Sequence, residues 1–259
     1  MNIVVLVKQV PDTWSERTLR AEDNTLDRDA ADVVINELDD YAIEEGLRLA
    51  EAHGGEVTIL SMGPEKAAEA IRKALSMGAD KAVHLSDEAL RGSDGLVTSA
   101  VLASVITRIG FDLVVLGSES TDARMGTLAA MLAERLGVPQ LSFASKVDTD
   151  GSAITIHRQA DYGYDTVEAS LPAVVSVVEK INEPRYPSFK GIMAAKKKPV
   201  ETLTLADIGF DPGQAGLAAS ATEVVSFAKR PPRAAGTIVT DEGDGGAQAA
   251  EFLASRKFI

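Results

Sequence analysis

Small and hydroxylated residues crowd one segment of the chain. Residues 117–122 read Gly-Ser-Glu-Ser-Thr-Asp, and Met125, Gly126 and Thr127 follow where a helix is predicted to begin. Backbone N–H groups, hydroxyls and the positive end of a helix dipole are the groups that bind a phosphate. The same residue types also form ordinary turns and helix caps. The segment alone therefore fits either a phosphate site or a plain helix entry.

Two other segments are expected at the same edge of the molecule. Lys8-Gln9-Val10-Pro11-Asp12 follows the first predicted strand, and Met62-Gly63-Pro64 follows the second. In an open parallel sheet, ligands bind outside the carboxyl ends of the strands. The three segments together indicate a nucleotide-binding α/β protein without an active site of its own.

The chain lacks the residues of most catalytic and metal sites. It has no cysteine, which excludes disulfides, thiolate catalysis and cysteine-based zinc or iron–sulfur sites. His53, His84 and His157 lie far apart and show no metal-ligand spacing. Walker, G-x-G-x-x-G and G-x-S-x-G motifs are missing. The carboxylate pairs 39–40 and 44–45 fit the solvated face of a helix better than an acid–base pair, so we expect no catalytic residue and no bound metal.

Charge and hydropathy exclude two further classes of protein. The net charge is −13 at pH 7, whereas nucleic-acid binding is driven by clustered Lys and Arg. No apolar stretch reaches the ~20 residues that a membrane span needs. The N-terminal apolar run is too short and too early for a signal peptide. We therefore expect a cytoplasmic protein that neither binds nucleic acid nor inserts into a membrane.

Alternating strand and helix patterns up to Gly137 must position the three segments. Strands separated by helices of this length form right-handed crossovers and a parallel sheet with helices on both faces, so the predicted fold class is α/β. Asn36 is predicted to cap the first helix. The predicted strands are Ile3–Val7, Val57–Ser61, Ala82–Leu85 and Leu113–Leu116, and the later helices are Glu65–Met77, Val97–Ile109 and Met125–Leu136.

The pattern changes after Gly137. Two strand-like runs flank Thr149-Asp150-Gly151, which is a hairpin signal, and an apolar strand follows at Leu171–Val178. We predict an α/β domain with a β-hairpin insertion over 1–181 and a partner-recognition loop over 182–198. Residues 199–259 are predicted to form an extended C-terminal arm that ends in a short helix.

One segment carries a specific resemblance. Residues 182–198, Asn-Glu-Pro-Arg-Tyr-Pro-Ser-Phe-Lys-Gly-Ile-Met-Ala-Ala-Lys-Lys-Lys, closely resemble the recognition loop of electron transfer flavoprotein beta subunits. Residues 8–12 resemble that family's exit from the first strand, 74–80 its A-L-x-M-G-A-D turn, and 171–175 its L-P-A-V-V strand. Because these features agree in order across nearly the whole chain, the chain is identified as a member of this family.

The resemblance implies a subunit of an electron carrier rather than an enzyme. Such a beta subunit pairs with a larger alpha subunit that holds most of the FAD, and its extended arm is expected to wrap that partner. It buries an AMP in a structural role within a fold that resembles the adenine-nucleotide α-hydrolases. The heterodimer takes electrons from dehydrogenases such as the acyl-CoA dehydrogenases of fatty acid beta-oxidation and passes them to a membrane quinone oxidoreductase of the respiratory chain.

The resemblance also implies which residues bind the cofactors. Apolar side chains are expected at the adenine, and the loop after the third long strand at the phosphate. Thr13 and its neighbour Trp14 occupy the region from which the family reaches the flavin. The residues expected at AMP are Leu6, Asn36, Glu37, Leu38, Asp39, Met62, Ser118, Glu119, Ser120, Thr121, Asp122, Met125, Gly126 and Thr127.

The nucleotide loop departs from the family's usual form. It is about two residues shorter than the D-D-D-C-N-Q-T-G type. It also lacks the D-G-D-T-A-Q-V-G-P type of bifurcating relatives, which hold a second FAD instead of AMP. AMP is therefore favoured over a second flavin. A stand-alone nucleotide-binding protein of similar fold is a further alternative, but it leaves residues 182–198 unexplained.

Within the recognition loop, Phe189 stands where the family presents an exposed apolar anchor to a dehydrogenase. Arg185, Tyr186, Ile192 and Met193 are expected to contact the partner as well. The lysines of the loop, Lys190 and Lys196-Lys197-Lys198, would steer an acidic partner surface. The alternative is that Phe189 packs on its own subunit.

Overall fold

A computed structural model describes residues 1–233, 236 and 238–259, so positions 234, 235 and 237 of the predicted arm lie outside the described residues. The chain divides into two compact units, Met1–Val225 and Ser226–Ile259. The first unit contains all the strands of the described residues and all the residues expected at a nucleotide, a flavin or a dehydrogenase.

The elements follow the alternating order that the sequence predicts. The strands are β1 (Asn2–Leu6), β2 (Gln9–Pro11), β3 (Val33–Ile35), β4 (Glu56–Met62), β5 (Lys81–Leu85), β6 (Leu113–Gly117), β7 (Gln140–Thr149), β8 (Ala153–Ala160), β9 (Gly163–Ser170), β10 (Ala173–Val177) and β11 (Val200–Leu203). The helices are α1 (Glu37–His53), α2 (Ala68–Met77), α3 (Gly95–Ile109), α4 (Leu128–Leu136), α5 (Phe189–Ala195), α6 (Gly216–Ala219) and α7 (Gly245–Ser255).

Among the described residues, one sheet of nine strands has the order β11-β5-β4-β1-β6-β10-β7-β8-β9. The strands from β11 to β7 pair in parallel, and β8 and β9 add an antiparallel hairpin beyond β7. β1, β6 and β10 are almost wholly buried apolar runs, as expected of strands covered on both faces. The predicted α/β class is confirmed.

Helices cover the two faces of this sheet in separate groups. Ile3 and Val5 of β1 face a core that includes residues of α1 and α2. Val4 and Leu6, which point the other way because side chains alternate along a strand, face a core that includes residues of α3 and α4. Right-handed crossovers produce this division because the chain runs outward from β1 to β5 and then returns to β6.

The strand order places a topological switch point between β1 and β6. From β1 the chain builds outward to β4 and β5 on one side, and from β6 it builds toward β10 on the other. At such a point the connections leave in opposite directions and open a crevice at the carboxyl ends of the strands, where ligands bind. The segments that begin at Lys8 and Ser118 leave the sheet there.

Six elements were not predicted from the sequence: β2, β3, β9, β11, α5 and α6. β2 and β3 form a small antiparallel ribbon. β11 pairs in parallel with β5 as an edge strand, so residues 200–203 belong to the sheet, and the first compact unit extends past Ile181 to Val225. α5 lies inside the predicted recognition loop. Apart from β9, these elements are only three to seven residues long, too short for periodicity to reveal them. β9 has eight residues but is mostly exposed, so it lacks an apolar run.

The second unit contains one helix among its described residues. This helix is α7, where the sequence predicts a helix over 247–255. None of its residues is buried, and Phe252 and Leu253 are exposed. Elsewhere, α4 begins at Leu128, three residues later than predicted. The described part of the chain contains no helix with the length and apolar character needed to cross a membrane.

Candidate functional site

The Asn36 side chain joins the start of α1 to the loop after β6, at the switch point. Its Nδ2 donates to the Glu119 carbonyl at 3.0 Å, and its Oδ1 accepts from the Thr121 N–H at 3.0 Å. The side chain therefore makes no capping bond to α1, although Asn36 does stand at the N-cap position. The predicted cap is wrong in this respect because the amide instead fixes the loop after β6 against the start of α1.

Gly117 permits this close approach. A Cβ atom at Gly117 would lie 2.6 Å from Oδ1 of Asp39 and 2.8 Å from Cβ of Leu38. Any side chain would push the end of β6 away from the first turn of α1. The glycine thus brings residues 118–122 beside residues 36–39, as the sequence predicts for a shared site.

Asp39 is buried at the centre of this contact. Its Oδ2 accepts from the Lys8 backbone N–H at 2.8 Å, and its Oδ1 accepts from Nδ2 of Asn36 at 2.9 Å. Burial raises the pKa of Asp39 to about 7, while these two hydrogen bonds and the Lys8 charge act in the opposite direction. The prediction that Asp39 belongs to a solvated helix face is therefore wrong, because its carboxyl group is buried and joins the start of α1 to the exit of β1.

Asp122, in the loop after β6, is the second carboxylate of the site whose side chain is buried. Its Oδ1 accepts from Nζ of Lys8 at 2.7 Å, and its Oδ2 accepts from Nη2 of Arg28 at 3.0 Å. Burial by itself would raise the pKa of Asp122, but Lys8, Ser120 and Arg28 outweigh burial and hold the pKa at about 2. The carboxylate is therefore ionised and compensates two cations.

Apolar side chains form a wall beside this polar cluster. Leu6 is buried at the end of β1, and Met62 at the end of β4 packs against the same core. Both point toward the face that α3 and α4 cover. An apolar wall next to hydroxyls and backbone N–H groups suits a ligand with one flat apolar end and one anionic end, such as a nucleotide.

The end of the loop leads into α4. Gly126 has a positive φ of 66°, and the first intrahelical bond runs from the Met131 N–H to the Thr127 carbonyl. The N–H groups of the preceding turn have no acceptor within the helix and give its N-terminus positive character. Oγ1 of Thr121 is a buried oxygen without a hydrogen-bond partner among the described residues. These donors fit a phosphate, so the residues present are compatible with a bound nucleotide.

Most of the residues expected at AMP meet at this edge of the sheet, in β1, at the end of β4, at the start of α1 and in the loop after β6. Trp14 is different. It is 95% exposed and lies between β2 and β3, next to exposed Thr13. The structure thus places the two residues expected near FAD on the surface.

Two surface clefts lie away from this edge. One is lined by residues that include His53, Asp112 and Leu171, and the other by residues that include Arg48 and Asp148. Neither cleft shares a residue with the set expected at AMP. Ser152 and His53 both line the first cleft, but the Ser152 hydroxyl donates to Oδ1 of Asp150 at 2.8 Å.

Residues 182–198, the recognition segment, expose most of the predicted anchor residues. Tyr186 is 94% exposed and Phe189 is 81% exposed, and Ile192 and Met193 of α5 are also exposed. Ser188 caps α5 by accepting from the Gly191 N–H at 3.0 Å. The structure therefore places Phe189 on the surface, and the alternative that it packs into its own subunit does not hold for this chain alone.

Other residues of the recognition segment bind the body of the protein instead. Arg185 pairs with Glu44 and Glu51 of α1, and Asn182 donates to Oε2 of Glu45 at 3.0 Å. Glu44 and Glu45 are buried, so their predicted position on a solvated face is wrong. The reason is that Arg185 and Asn182, which lie about 140 positions further along the chain, bond to these two carboxylates. Glu45 also pairs with Arg48 of its own helix at 3.5 Å.

The far end of the recognition segment is fixed on α2. Nζ of Lys198 donates to the carbonyls of Leu75, Gly78 and Ala79, at 3.0, 2.9 and 2.6 Å. A Cβ atom at Gly191 would lie 2.4 Å from the Ser76 carbonyl oxygen, so α5 packs tightly on the end of α2. Lys198 thus caps a helix of its own chain, whereas Lys190, Lys196 and Lys197 are exposed.

Comparison with known proteins identifies the family. The electron transfer flavoprotein domain family matches residues 23–208. The chain is 54% identical over 264 residues to the electron transfer flavoprotein subunit beta of Mycobacterium tuberculosis, covering 100% of this chain and 99% of that protein. The chain belongs to the electron transfer flavoprotein beta subunits. The identification from the sequence is thereby confirmed, together with the association with electron transport and flavoproteins.

More distant members of the electron transfer flavoprotein family also align over nearly the full length. The subunit beta of Thermoanaerobacterium thermosaccharolyticum is 39% identical over 241 residues, covering 93% of this chain and 92% of that protein. The caffeyl-CoA reductase-Etf complex subunit CarD of Acetobacterium woodii is 35% identical over 242 residues, with the same coverage of both chains. Full-length similarity extends the family relationship to both units of this beta subunit.

Two basic residues of the site in this electron transfer flavoprotein subunit, Arg17 and Arg28, were not predicted, whereas Lys8 belongs to a segment that was expected at this edge. Lys8 and Arg28 hold Asp122, and Nη1 of Arg17 donates to the Thr121 carbonyl at 2.7 Å. The position of Lys8 directly after β1 offered a signal for its role. Arg17 and Arg28 stand in an irregular stretch without periodicity, so the sequence offered none.

Proposed function

We propose that this chain is the beta subunit of a heterodimeric, cytoplasmic electron transfer flavoprotein. It accepts electrons from dehydrogenases, acyl-CoA dehydrogenases among them, through an FAD held mainly by the alpha subunit, and passes them to a membrane quinone oxidoreductase. FAD supplies the redox chemistry when it is bound. The residues of this chain bind partners and position the complex. The recognition segment is the observation that carries the proposal.

The recognition segment has the properties of a docking surface. Phe189 and Tyr186 extend into solvent, while Arg185 and Lys198 hold the two ends of the segment on α1 and α2. Aromatic side chains on a preorganised backbone lose little conformational entropy on binding. A transient electron-transfer complex needs only a small interface with one or two strong anchors.

AMP is the ligand that the site at the switch point suits best. Leu6 and Met62 offer an apolar wall for the base, and the loop from Ser118 to Thr127 offers hydroxyls and the N-terminus of α4 for one phosphate. Lys8 is compensated by Asp122, which leaves less positive charge for further phosphates. We expect AMP to stabilise the fold without being turned over.

The second compact unit, with the stretch around Val225 that leads into it, is proposed to wrap the alpha subunit. Val225 and Phe227 are exposed in a stretch without regular structure, and Phe252, Phe258 and Ile259 are exposed in or near α7. Apolar side chains that find no core in their own chain indicate a partner surface. An obligate partner would cover them with a large apolar interface.

A second candidate function is a bifurcating subunit that holds a second FAD at the AMP position. The similarity to CarD, a subunit of a reductase complex, favours this candidate. The loop from Ser118 to Thr127 lacks the sequence of the bifurcating type and favours AMP.

The nucleotide released from the purified heterodimer distinguishes the candidates. Co-expression with the alpha subunit, denaturation and mass measurement should yield one FAD and one AMP. Two FAD per heterodimer would establish the bifurcating alternative. ATP, or no nucleotide together with no assembly with an alpha subunit, would establish a stand-alone protein.

The structural role of AMP has its own test. A ligand that binds only the folded state adds about 3–4 kcal/mol to the free energy of unfolding at a hundred- to thousandfold excess over Kd. Stripping AMP from the heterodimer should therefore lower its Tm and slow its assembly. Equal melting and assembly of the stripped and loaded heterodimers would remove the structural role while leaving the electron-transfer role untouched.

A further inference from the structure

Residues 12–32, the β2–β3 excursion, lie against the candidate nucleotide loop. Arg17 donates to the Thr121 carbonyl at 2.7 Å, and Arg28 donates to Oδ2 of Asp122 at 3.0 Å. The residues joined by these two contacts are 104 and 94 positions apart in the sequence. The excursion has no helix or named strand of its own, and its bridge between Leu19 and Leu26 is isolated. Its position therefore depends on tertiary contacts.

Asp122 is the centre of these contacts. Its side chain is 2% exposed, and its two oxygens pair with different cations, Lys8 at the end of β1 and Arg28 of the excursion. Arg28 also donates to the Gln9 carbonyl at 3.2 Å. The carboxylate thus joins the loop, the first strand exit and the excursion. Without it, two partly exposed cations would face each other with no carboxylate between them.

The excursion also carries Trp14 and reaches a second region. Trp14, the single tryptophan of the chain, extends into solvent. Further along the excursion, Asp23 pairs with Arg91, and Nδ2 of Asn24 donates to the Val224 carbonyl at 2.7 Å. Val224 directly precedes the end of the first compact unit. The β2–β3 excursion therefore contacts both the candidate nucleotide loop and Val224, near the end of the first compact unit.

We propose that Asp122 is a positioning residue that couples nucleotide binding in the 118–127 loop to the β2–β3 excursion and its Trp14. The proposal rests on the proposed binding of AMP. A nucleotide held by this loop fixes the Thr121 carbonyl and the Asp122 carboxylate, which are the two groups that Arg17 and Arg28 bind. Fewer open states of the loop then mean fewer open states of the excursion.

The coupling works in both directions because linkage between two sites is reciprocal. An ordered excursion raises the affinity of the loop for the nucleotide, and the nucleotide orders the excursion. The surface that carries Trp14 is thereby fixed when AMP is present. Bound AMP would then order the surface around Trp14, although that surface lies outside the nucleotide site.

Hydrogen exchange read by mass spectrometry on the intact heterodimer tests the coupling, because it reports each chain and each segment separately. In the wild type, adding AMP to stripped protein should slow exchange in peptides of 118–127 and also of 12–32, by about fivefold or more. With AMP raised until it saturates the variant, so that a lower affinity caused by the lost carboxylate does not matter, Asp122→Asn should be protected at 118–127 but not at 12–32. Asp122→Glu should restore part of the coupling.

Two further variants guard against misfolding and general loosening. The double variant Arg17→Gln with Arg28→Gln leaves the Lys8–Asp122 pair intact and should also lose the effect at 12–32. Asp29→Asn is the matched control, because this carboxylate pairs with Arg20 inside the excursion and is largely exposed. It should keep the wild-type response.

The outcomes distinguish AMP binding in the 118–127 loop from its coupling to the β2–β3 excursion. No protection at 118–127 in the wild type would overturn AMP binding in this loop. Protection at 118–127 without any at 12–32 would overturn the coupling while AMP binding stands. Retained protection at 12–32 in both Asp122→Asn and the double arginine variant would show that Asp122 does not transmit it.

Discussion

Arg185 and Glu44 form a bidentate ion pair that fixes the recognition segment on α1. Nε of Arg185 donates to Oε2 of Glu44 at 2.7 Å, and Nη2 donates to Oε1 at 3.0 Å. The Arg185 backbone N–H also donates to Oε2, at 3.0 Å. Glu44 is only 6% exposed, and Arg185 is the cation that compensates its charge. A residue that the family resemblance assigns to partner binding therefore has a structural role inside its own chain.

Replacing Arg185 by Gln should destabilise the subunit. The change leaves the buried Glu44 carboxylate without its cation, and we expect the free energy of unfolding to fall by about 1–3 kcal/mol, since the arginine itself is partly solvated. Urea denaturation of the heterodimer measures the loss. Glu51→Gln removes only the exposed second partner and should cost much less. Equal losses in the two variants would contradict the role of Glu44.

Phe189→Ala should weaken docking without weakening the fold. The ring contacts little of its own chain, whereas an aromatic anchor in an interface contributes about 2–4 kcal/mol. The apparent KM for the flavoprotein in a dehydrogenase-coupled assay should rise roughly 30-fold or more. FAD content and Tm should stay near the wild type. Tyr162→Ala, which removes an exposed aromatic ring from the β8–β9 hairpin, is the matched control and should leave KM unchanged.

The lysines at the end of the recognition segment should divide into two roles. Lys198→Met removes three hydrogen bonds to the carbonyls at the end of α2 and should lower the free energy of unfolding by about 1–2 kcal/mol. Lys197→Met removes an exposed charge and should mainly lower the association rate with a dehydrogenase at low salt. Thermal unfolding and stopped-flow mixing separate the two effects. A loss of stability in Lys197→Met but not in Lys198→Met would reverse this assignment.

Asp39 should make the stability of the subunit depend on pH near neutrality. Its pKa in the folded state is about 7, above the value of about 4 in an unfolded chain. The folded state therefore holds the proton more tightly. The corresponding stability is fully present below about pH 4 and is lost as the pH rises through about 7.

The comparison of wild type with Asp39→Asn isolates this contribution from that of other groups. The difference between their free energies of unfolding should change by up to about 4 kcal/mol between pH 4 and 8, in the direction of greater wild-type stability at low pH. Glu37→Gln, an exposed carboxylate on the same turn, should follow the wild-type curve. A constant difference across this range would show that Asp39 does not titrate there.

The sequence predicted the alternating elements and the family because both depend on local order. β1, β4, β5 and β6 are apolar runs between turn residues, and the helices between them are long enough for their periodicity to be visible. The parallel sheet follows from this order by the handedness of crossovers. The identity of the 182–198 segment is likewise a property of consecutive residues. The exposure of Phe189 agrees with it.

The tertiary structure decided which charges are buried and what they bind. Asp39, Glu44 and Glu45 belong to a helix whose pattern suggested a solvated face, but residues far away in the chain cover them. Tertiary structure also decided β11, because residues 200–203 form a strand by pairing with the edge of β5.

What the sequence by itself determined is the α/β order and the membership of the electron transfer flavoprotein beta subunits; the nucleotide site at the edge of the sheet stays a prediction. Only the tertiary structure showed that Arg185 holds Glu44 and that Asp122 holds Lys8 and Arg28. The physical reason is range. Helix and strand signals act over a few residues, whereas a buried ion pair is selected by its surroundings, and these partners lie as far as 141 positions apart.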